Sequence, residues 1–153
     1  MAAGTDLRIR PIVREDAAVL FRWLNTADRR ETSFQTADPV PWEAHVEWLN
    51  RRLADPDCWL AMALHDGHPA GQVRVERDND SAVISVYVDA EFRRRGVGRV
   101  LVEEACKAAR AAWPGLPILA HVRADNPRSI AFFRSNGFSD AEQHADRFTL
   151  RRT

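Results

Sequence analysis

Four arginines and two glycines lie close together in the segment EFRRRGVGR, residues 91–99. An alternating apolar run precedes this segment, and a long helix-forming run follows it. A strand, a glycine turn and a helix start bring unpaired backbone N–H groups and the positive end of a helix dipole to one point, which favours anion binding. Gly96 and Gly98 would let the backbone approach the anion, because they carry no Cβ. The neighbouring cations are Arg93, Arg94, Arg95 and Arg99.

Three interpretations of this turn stay open on the residues alone: an anion cradle, a solvated basic loop and a nucleic-acid patch. A dinucleotide fingerprint is absent because Leu101 stands where a third glycine or alanine belongs, and no Gly-Lys-Ser/Thr follows for a P-loop. The chain carries 22 Lys+Arg and 22 Asp+Glu, so its net charge is zero. That balance gives no global reason to expect nucleic-acid or membrane partners.

The length of 153 residues fits a single domain, residues 1–153, that can bury a core. Cys58 and Cys106 are far apart, which favours a reducing compartment. No signal-peptide core or long apolar run is present, so we expect a cytoplasmic protein. The five histidines show no ligand spacing, so no metal is predicted.

Apolar periodicity predicts one α/β domain in the order β-α-α-β-β-β-α-β-α-β, with a further final strand left open. Asp16 is expected to cap the first helix. The second helix is expected to bury a stripe of Trp42, Val46, Leu49 and Leu53. The long helix crosses between the strand of Tyr87 and the strand that follows, so those two strands should be parallel neighbours. The predicted strands cover residues 7–13, 58–64, 70–77, 81–88, 117–122 and part of 139–151, and the predicted helices lie near residues 17–25, 42–54, 98–113 and 127–136.

Two motifs in this scaffold resemble those of the GNAT superfamily of N-acetyltransferases. VYVDAEFRRRGVGRVLVEEA is similar to its acetyl-CoA signature, Arg/Gln-x-x-Gly-x-Gly/Ala, and NPRSIAFFRSNGF is similar to its second, Asn-led helix. The order of elements also matches. The resemblance implies acetyl-CoA as cosubstrate and a mixed, mostly antiparallel sheet. It also implies a central splayed parallel strand pair and about four flanking helices.

The resemblance also implies where acetyl-CoA would bind. The backbone of residues 94–99 would hold the pyrophosphate, and the pantetheine arm would pair with the splayed strand near Val86 and Val88. One amide of that strand would polarise the thioester carbonyl. Asn126 would reach the pantetheine arm from the second motif. The implied cofactor-binding residues are Val86, Val88, Arg93, Arg94, Arg95, Gly96, Val97, Gly98, Arg99, Asn126, Ser129 and Phe132.

The sequence departs from the family at two catalytic positions. Phe133 stands where many relatives have a tyrosine general acid, and Ala82 lies near the position of a glutamate base. A thiol has a reference pKa of about 8.5, so a thiolate can leave with help from water. Tyr87 is the candidate acid and His45 the candidate base. Glu47, His121 and water are the other candidates for the base.

The segment from the first helix to the end of the second resembles enzymes that acetylate nucleotide-linked amino sugars, of the pseudaminic-acid type. Its shared features are a Ser-Phe pair and Trp-Glu-x-His-x-x-Trp. We therefore expect a small-molecule amine as acceptor, and a monomer or homodimer. The alternatives are acetylation of a protein or peptide, a non-catalytic acetyl-CoA-binding module and a pure interaction domain. The predicted acceptor-binding residues are Arg30, Phe34, Trp42, His45 and Trp48.

Overall fold

The computed structural model describes residues 6–26 and 39–153. In these parts the chain forms seven strands and four α-helices. The strands are β1 (Leu7–Pro11), β2 (Cys58–His65), β3 (His68–Asp78), β4 (Ser81–Val88), β5 (Ile118–Arg123), β6 (Ser139–His144) and β7 (Arg147–Arg152). The helices are α1 (Ala17–Leu24), α2 (Trp42–Ala54), α3 (Val97–Ala112) and α4 (Pro127–Ser135). None of the helices in the described parts is long and apolar enough to span a membrane.

The strands form one sheet in the order β1-β2-β3-β4-β5-β7-β6. Strand pairing is antiparallel except between β4 and β5, which run parallel because helix α3 crosses over between them. The predicted fold class, a mixed and mostly antiparallel sheet with a central parallel pair, is confirmed. The final strand that the periodicity left open is present as β7.

The helices cover the two faces of the sheet, which gives the molecule two apolar layers. Helices α3 and α4 pack on one face, where Val73, Ile84 and Leu101 are buried. Helices α1 and α2 pack on the opposite face against Leu60 and Met62. Alternate residues of β4 point to the two faces, so this strand contributes to both layers.

Two local predictions are wrong. The carboxylate of Asp16 does not cap α1; it accepts hydrogen bonds from both terminal nitrogens of Arg10 at 2.8 Å and from the Val13 amide at 2.9 Å. The expected stripe on α2 is also rotated, since Trp42 is 43% exposed and Leu53 is 38% exposed. His45 and Leu49 are the buried residues of that helix, because this edge faces α1 and the sheet.

Candidate functional site

The centre of the sheet opens where β4 and β5 separate. The two strands pair only from Ala82 to Ile84 with Ile118 to Ala120, although each continues further. The amide of Ala82 donates to the Pro117 carbonyl at 2.9 Å, which directs it toward β5. Backbone groups alternate along a strand, so the amides of Val86 and Val88 also point into the opening. An exposed strand edge of this kind can pair with an extended ligand.

The glycine turn lies at the end of that opening. Gly96 has a φ of 79° and Arg94 a φ of 63°, so the chain turns sharply into α3 through the left-handed region. The helix's first backbone bond runs from the Val100 amide to the Gly96 carbonyl at 3.2 Å. The N–H groups of residues 97–99 precede that bond and have no partner within the helix. Free N–H groups at a helix start suit an anion, which is the geometry that the anion-cradle interpretation requires.

The arginines of the turn are not equivalent. Arg93 is half-buried, and its Nε donates to the Val88 carbonyl at 3.2 Å, which ties the turn to the open strand edge. Arg94, Arg95 and Arg99 are exposed. The guanidinium of Arg95 lies 5.8 Å from the ring centroid of Phe92. Arg94 and Arg99 therefore add charge at the turn, beside the groove that they line, whereas the predicted Arg95 does not line that groove. Arg93 holds the backbone of the turn in place.

The two glycines of the turn serve different needs. A Cβ on Gly96 would meet nothing within 4 Å, so glycine is needed there for its positive φ. A Cβ on Gly98 would lie 2.8 Å from Cε1 and 2.9 Å from Cζ of Phe132. The missing side chain of Gly98 therefore makes room for an aromatic ring, a need that was not predicted from the sequence, and its role in the approach of an anion stays a prediction.

Helix α4 forms the opposite wall of the opening. The Oδ1 atom of Asn126 accepts from the Ser129 amide at 3.3 Å and caps the helix, so its amide nitrogen is the group that remains for a ligand. Phe132 is half-buried. Phe133 is buried, and its ring centroid lies 5.2 Å from those of both Phe132 and Phe138. The residue at the family's tyrosine position is thus part of an apolar core.

These walls enclose a groove with a volume of about 1200 Å³ that passes through the sheet. Val86, Val88 and Phe132 line it from the α3–α4 side. Tyr87 and His121 line it from the other side. The structure therefore brings the turn, the open strand edge and the second motif to one continuous groove.

A second pocket, of about 250 Å³, lies on the α1–α2 side of the sheet. Among the predicted acceptor residues, His45 and Trp48 line it. Trp42 lines neither cavity and packs edge-on against Phe21 at 5.2 Å between ring centroids. The predicted Arg30 and Phe34 lie outside the described residues.

His45 is held in its neutral form. It is 2% exposed, and its Nε2 donates to the Ala17 carbonyl at 3.0 Å. Burial lowers the pKa of His45, although the bond to Ala17 acts in the opposite direction. Its Nδ1 is buried without a hydrogen-bond partner among the described residues. Only Nδ1 could accept a proton, and solvent does not reach it.

Tyr87 lies where the two cavities meet. It is 8% exposed, lines both of them, and its ring centroid lies 5.6 Å from that of Trp23. The Nε1 atom of Trp23 donates to the Asp89 carboxylate at 2.8 Å, and the same carboxylate accepts from the Glu91 amide at 3.0 Å. Helix α1 is thereby tied to the end of β4, next to the glycine turn.

His121 and Glu47 differ in their access to the groove. His121 is half-buried on β5, and its Nδ1 lies 2.9 Å from the Thr149 hydroxyl. Burial lowers the pKa of His121, with a smaller contribution from the charge of Arg147, so the ring is neutral near pH 7. Glu47 is exposed, pairs with Arg51 at 2.9 Å, and lines neither cavity.

Arg74 and Gln72 also belong to the site and are not among the residues predicted from the sequence. They lie on β3, in register with Ser85 and Tyr87 of β4. Arg74 lines both cavities. The polar alternation QVRVER was the available indication, but a polar strand face usually meets solvent. Within the described residues, no group of His, Cys, Asp or Glu side chains could hold a metal ion.

Comparisons with known proteins agree with this geometry. A model of the "Acetyltransferase (GNAT) family" matches residues 20–138. YwnH of Bacillus subtilis, provisionally named a phosphinothricin acetyltransferase, is 26% identical, over 90% of this chain and 91% of that protein. The N-alpha-acetyltransferase RimI of Mycobacterium tuberculosis is 29% identical, over 99% of this chain and 96% of that protein. The PaiA N-acetyltransferase of Thermoplasma acidophilum, solved in complex with coenzyme A, superposes with a TM-score of 0.80 at 18% identity, covering 97% of this chain and 99% of that one.

Proposed function

The chain belongs to the GNAT acetyltransferase family, and we propose that it transfers an acetyl group from acetyl-CoA directly to the primary amine of a small molecule, with both substrates bound together. The observation that carries the proposal is the groove through the sheet, which leads from the glycine turn to the pocket under α1 and α2. A donor and an acceptor can therefore approach each other from opposite faces of the sheet.

The residues present fit acetyl-CoA, which supplies the acetyl group as a thioester. In the proposal, the free amides at the start of α3 bind the pyrophosphate, and Arg94, Arg95 and Arg99 neutralise its charge. The pantetheine arm lies along the open edge at Val86 and Val88, as an added strand would. The remaining backbone and side-chain contacts come from Arg93, Gly96, Val97, Gly98, Asn126, Ser129 and Phe132.

The proposed chemistry needs a neutral amine, a donor for the thioester oxygen and a proton for the departing sulfur. The Val88 amide, which points into the groove, stabilises negative charge on that oxygen. Tyr87 donates the proton to the sulfur because it lies where the cavities meet. The amine gives up one proton to His121 or to water. His45 forms a wall of the acceptor pocket, and a role for it as base stays a prediction.

Acetylation of a protein N-terminus is the second candidate, because a 29% identical relative is named an N-alpha-acetyltransferase. A nucleotide-linked amino sugar remains the finer prediction from the resemblance of the first two helices. The two candidates differ in how much of the acceptor must lie outside the pocket, whose volume is only about 250 Å³. A peptide chain or a nucleotide would extend beyond it.

The first test is thermal unfolding with and without acetyl-CoA, with inorganic phosphate as the control ligand. At one hundred times its Kd, a ligand adds about 2.7 kcal/mol. In a chain of this size that raises Tm by roughly 5–10 °C. No shift would contradict the proposed donor site.

The second test is thiol release with matched panels of small amines, nucleotide-linked amino sugars and peptides. We expect turnover of small amines. A preference for peptides would instead establish the second candidate. Tyr87→Phe should lower kcat by roughly tenfold or more while leaving the acetyl-CoA Tm shift intact, because general acid catalysis contributes about 10²–10⁴-fold. An unchanged kcat would remove Tyr87 as the proton donor.

A further inference from the structure

Arg74 is a half-buried cation that faces the acceptor pocket. It lies on β3, and its side chain is 22% exposed. Its Nε bonds Glu76 at 2.6 Å, and its guanidinium lies 5.2 Å from the centroid of the Trp48 ring. Among the described residues, the ion-pair partner of Arg74 is Glu76, which contacts Nε, so the two terminal nitrogens remain available as donors. Those donors belong to a residue that lines both cavities.

The charge of Arg74 persists although the side chain is half-buried. Burial lowers the pKa of Arg74, but an arginine stays protonated at physiological pH. Glu76 neutralises it only in part, because Glu76 also pairs with Arg52 at 3.2 Å. Arg52 has a second, longer contact of 4.0 Å with Asp55. A half-buried cation with available donors favours a further anionic partner.

The remaining pocket walls restrict the chemistry of the acceptor. Arg51 is the other charged residue that lines the pocket, and no carboxylate does so among the described residues. Such walls disfavour polyamines and other acceptors with several positive charges. Trp23, Trp48 and Tyr87 present aromatic faces for the apolar part of a ligand. The volume of about 250 Å³ is below the ~300–1000 Å³ of pockets that enclose drug-sized molecules.

Building on the proposed function, we infer that the acceptor is a compact amine of amino-acid size that also carries an oxyanion, which Arg74 binds. The oxyanion is a carboxylate or a phosphorus oxyanion, since both accept the parallel N–H donors of a guanidinium. Its contact with Arg74 anchors the molecule at the junction of the cavities. The amine of the same molecule is then directed toward the groove between β4 and β5.

The experiment compares acceptors that differ only in the anion. The pairs are L-methionine with L-methioninamide, and 2-aminoethylphosphonate with propylamine, with spermidine as the polycationic probe. At saturating acetyl-CoA, we expect kcat/KM to favour the oxyanion member of at least one pair by roughly ten- to hundredfold, as for a charge-assisted hydrogen bond. The pair that shows the preference identifies whether the anion is a carboxylate or a phosphonate.

Variants at position 74 test the assignment to Arg74. Arg74→Gln should abolish the preference, mainly through the KM of the acceptor. Arg74→Lys should keep part of it, because lysine retains the charge but not the paired donors. Arg77→Gln is the matched control, since Arg77 is an exposed arginine of the same strand. All variants must keep the acetyl-CoA Tm shift, which reports on the donor site.

The outcomes separate this inference from the proposed function. Loss of the acetyl-CoA shift in the wild type contradicts the proposed function. An intact shift with equal or better turnover of amides or spermidine overturns the anion inference alone. If no amine is turned over, titration of tryptophan fluorescence with the same pairs in the presence of CoA decides. Binding of an oxyanion member that Arg74→Gln abolishes supports the inference, whereas equal binding of both members, or binding of neither, overturns it.

Discussion

Substitution of Gly98 by alanine tests why glycine is needed at the start of α3. The added Cβ would lie 2.8 and 2.9 Å from two atoms of the Phe132 ring. Carbon atoms in contact are normally ~3.5–4.0 Å apart, so the ring must move by roughly 0.6–1.2 Å. Overpacking of this kind costs about 1–3 kcal/mol. Replacing glycine by alanine in a helix stabilises the folded state by at most about 1 kcal/mol. We expect a net loss of about 1–2 kcal/mol.

The assay is a double-mutant cycle of Gly98→Ala and Phe132→Leu, followed by thermal and urea unfolding. A loss of 1–2 kcal/mol corresponds to a fall in Tm of roughly 2–8 °C for a chain of this size. Leucine lacks the two ring atoms that the new Cβ would meet. The double variant should therefore be more stable than the sum of the single changes predicts, by about 1–3 kcal/mol. The acetyl-CoA Tm shift is measured for all four proteins.

Two results would refute this explanation of Gly98. Additive free energies of unfolding would mean that the ring and the new Cβ do not collide. A double variant that regains stability but does not recover the acetyl-CoA shift lost in Gly98→Ala would mean that Gly98 is needed for the approach of the pyrophosphate. The control is Phe132→Leu alone, which shows how far the ring itself contributes to the shift.

Other predictions concern the turn, the buried histidines and the link between α1 and β4. Gly96→Ala should cost about 1–2 kcal/mol of unfolding free energy, because its φ of 79° strains any other residue, and Phe132→Leu should not restore it. Burial lowers the pKa of His45 and of His121, so the unfolded chain binds more protons just below the ordinary histidine pKa of about 6.5. Urea unfolding should therefore show stability that is complete above that pH and falls below it, with a shallower fall in His45→Gln. Trp23→Phe should leave the Asp89 carboxylate short of a donor and lower stability by about 1–3 kcal/mol in thermal unfolding. Its effect on the KM of the acceptor should exceed its effect on acetyl-CoA binding, and equal effects would contradict the assignment of Trp23 to the acceptor pocket.

The order of elements could be predicted because it depends on local patterns. Alternation identifies β4, and glycine and proline mark the ends of α3 and α4. The position of the helices around their own axes could not be obtained in the same way. The periodicity of α2 predicted one stripe that included Trp42 and Leu53, whereas packing against α1 and the sheet buries His45 and Leu49. Asp16 was expected to cap α1, but it lies beside the cation of Arg10, which is a non-local contact.

The positions of the turn and of the open strand edge could be predicted from the sequence, but their side-chain contacts could not. The spacing of Gly96 and Gly98 marks a sharp turn before a helix, yet the second glycine is required by a ring on α4. That ring belongs to a different part of the chain, so the spacing of the two glycines does not indicate it. Arg74 escaped prediction for a similar reason. The alternation along its strand indicates a solvated face, but helices α1 and α2 cover that face.

The two halves of the proposed site use different kinds of groups, and this difference determines what the sequence can reveal. Backbone amides of β4 and α3 form the donor half, and backbone geometry depends on glycines and a capping asparagine at fixed spacing. Side chains from α1, α2, β3 and β4 form the acceptor half. These side chains are far apart in sequence and follow no fixed motif. Substitutions in the acceptor half can therefore change the amine without disturbing the binding of acetyl-CoA. Relatives at 26% and 29% identity are named as a phosphinothricin acetyltransferase and an N-alpha-acetyltransferase, and such a difference in name is the pattern that this separation would produce.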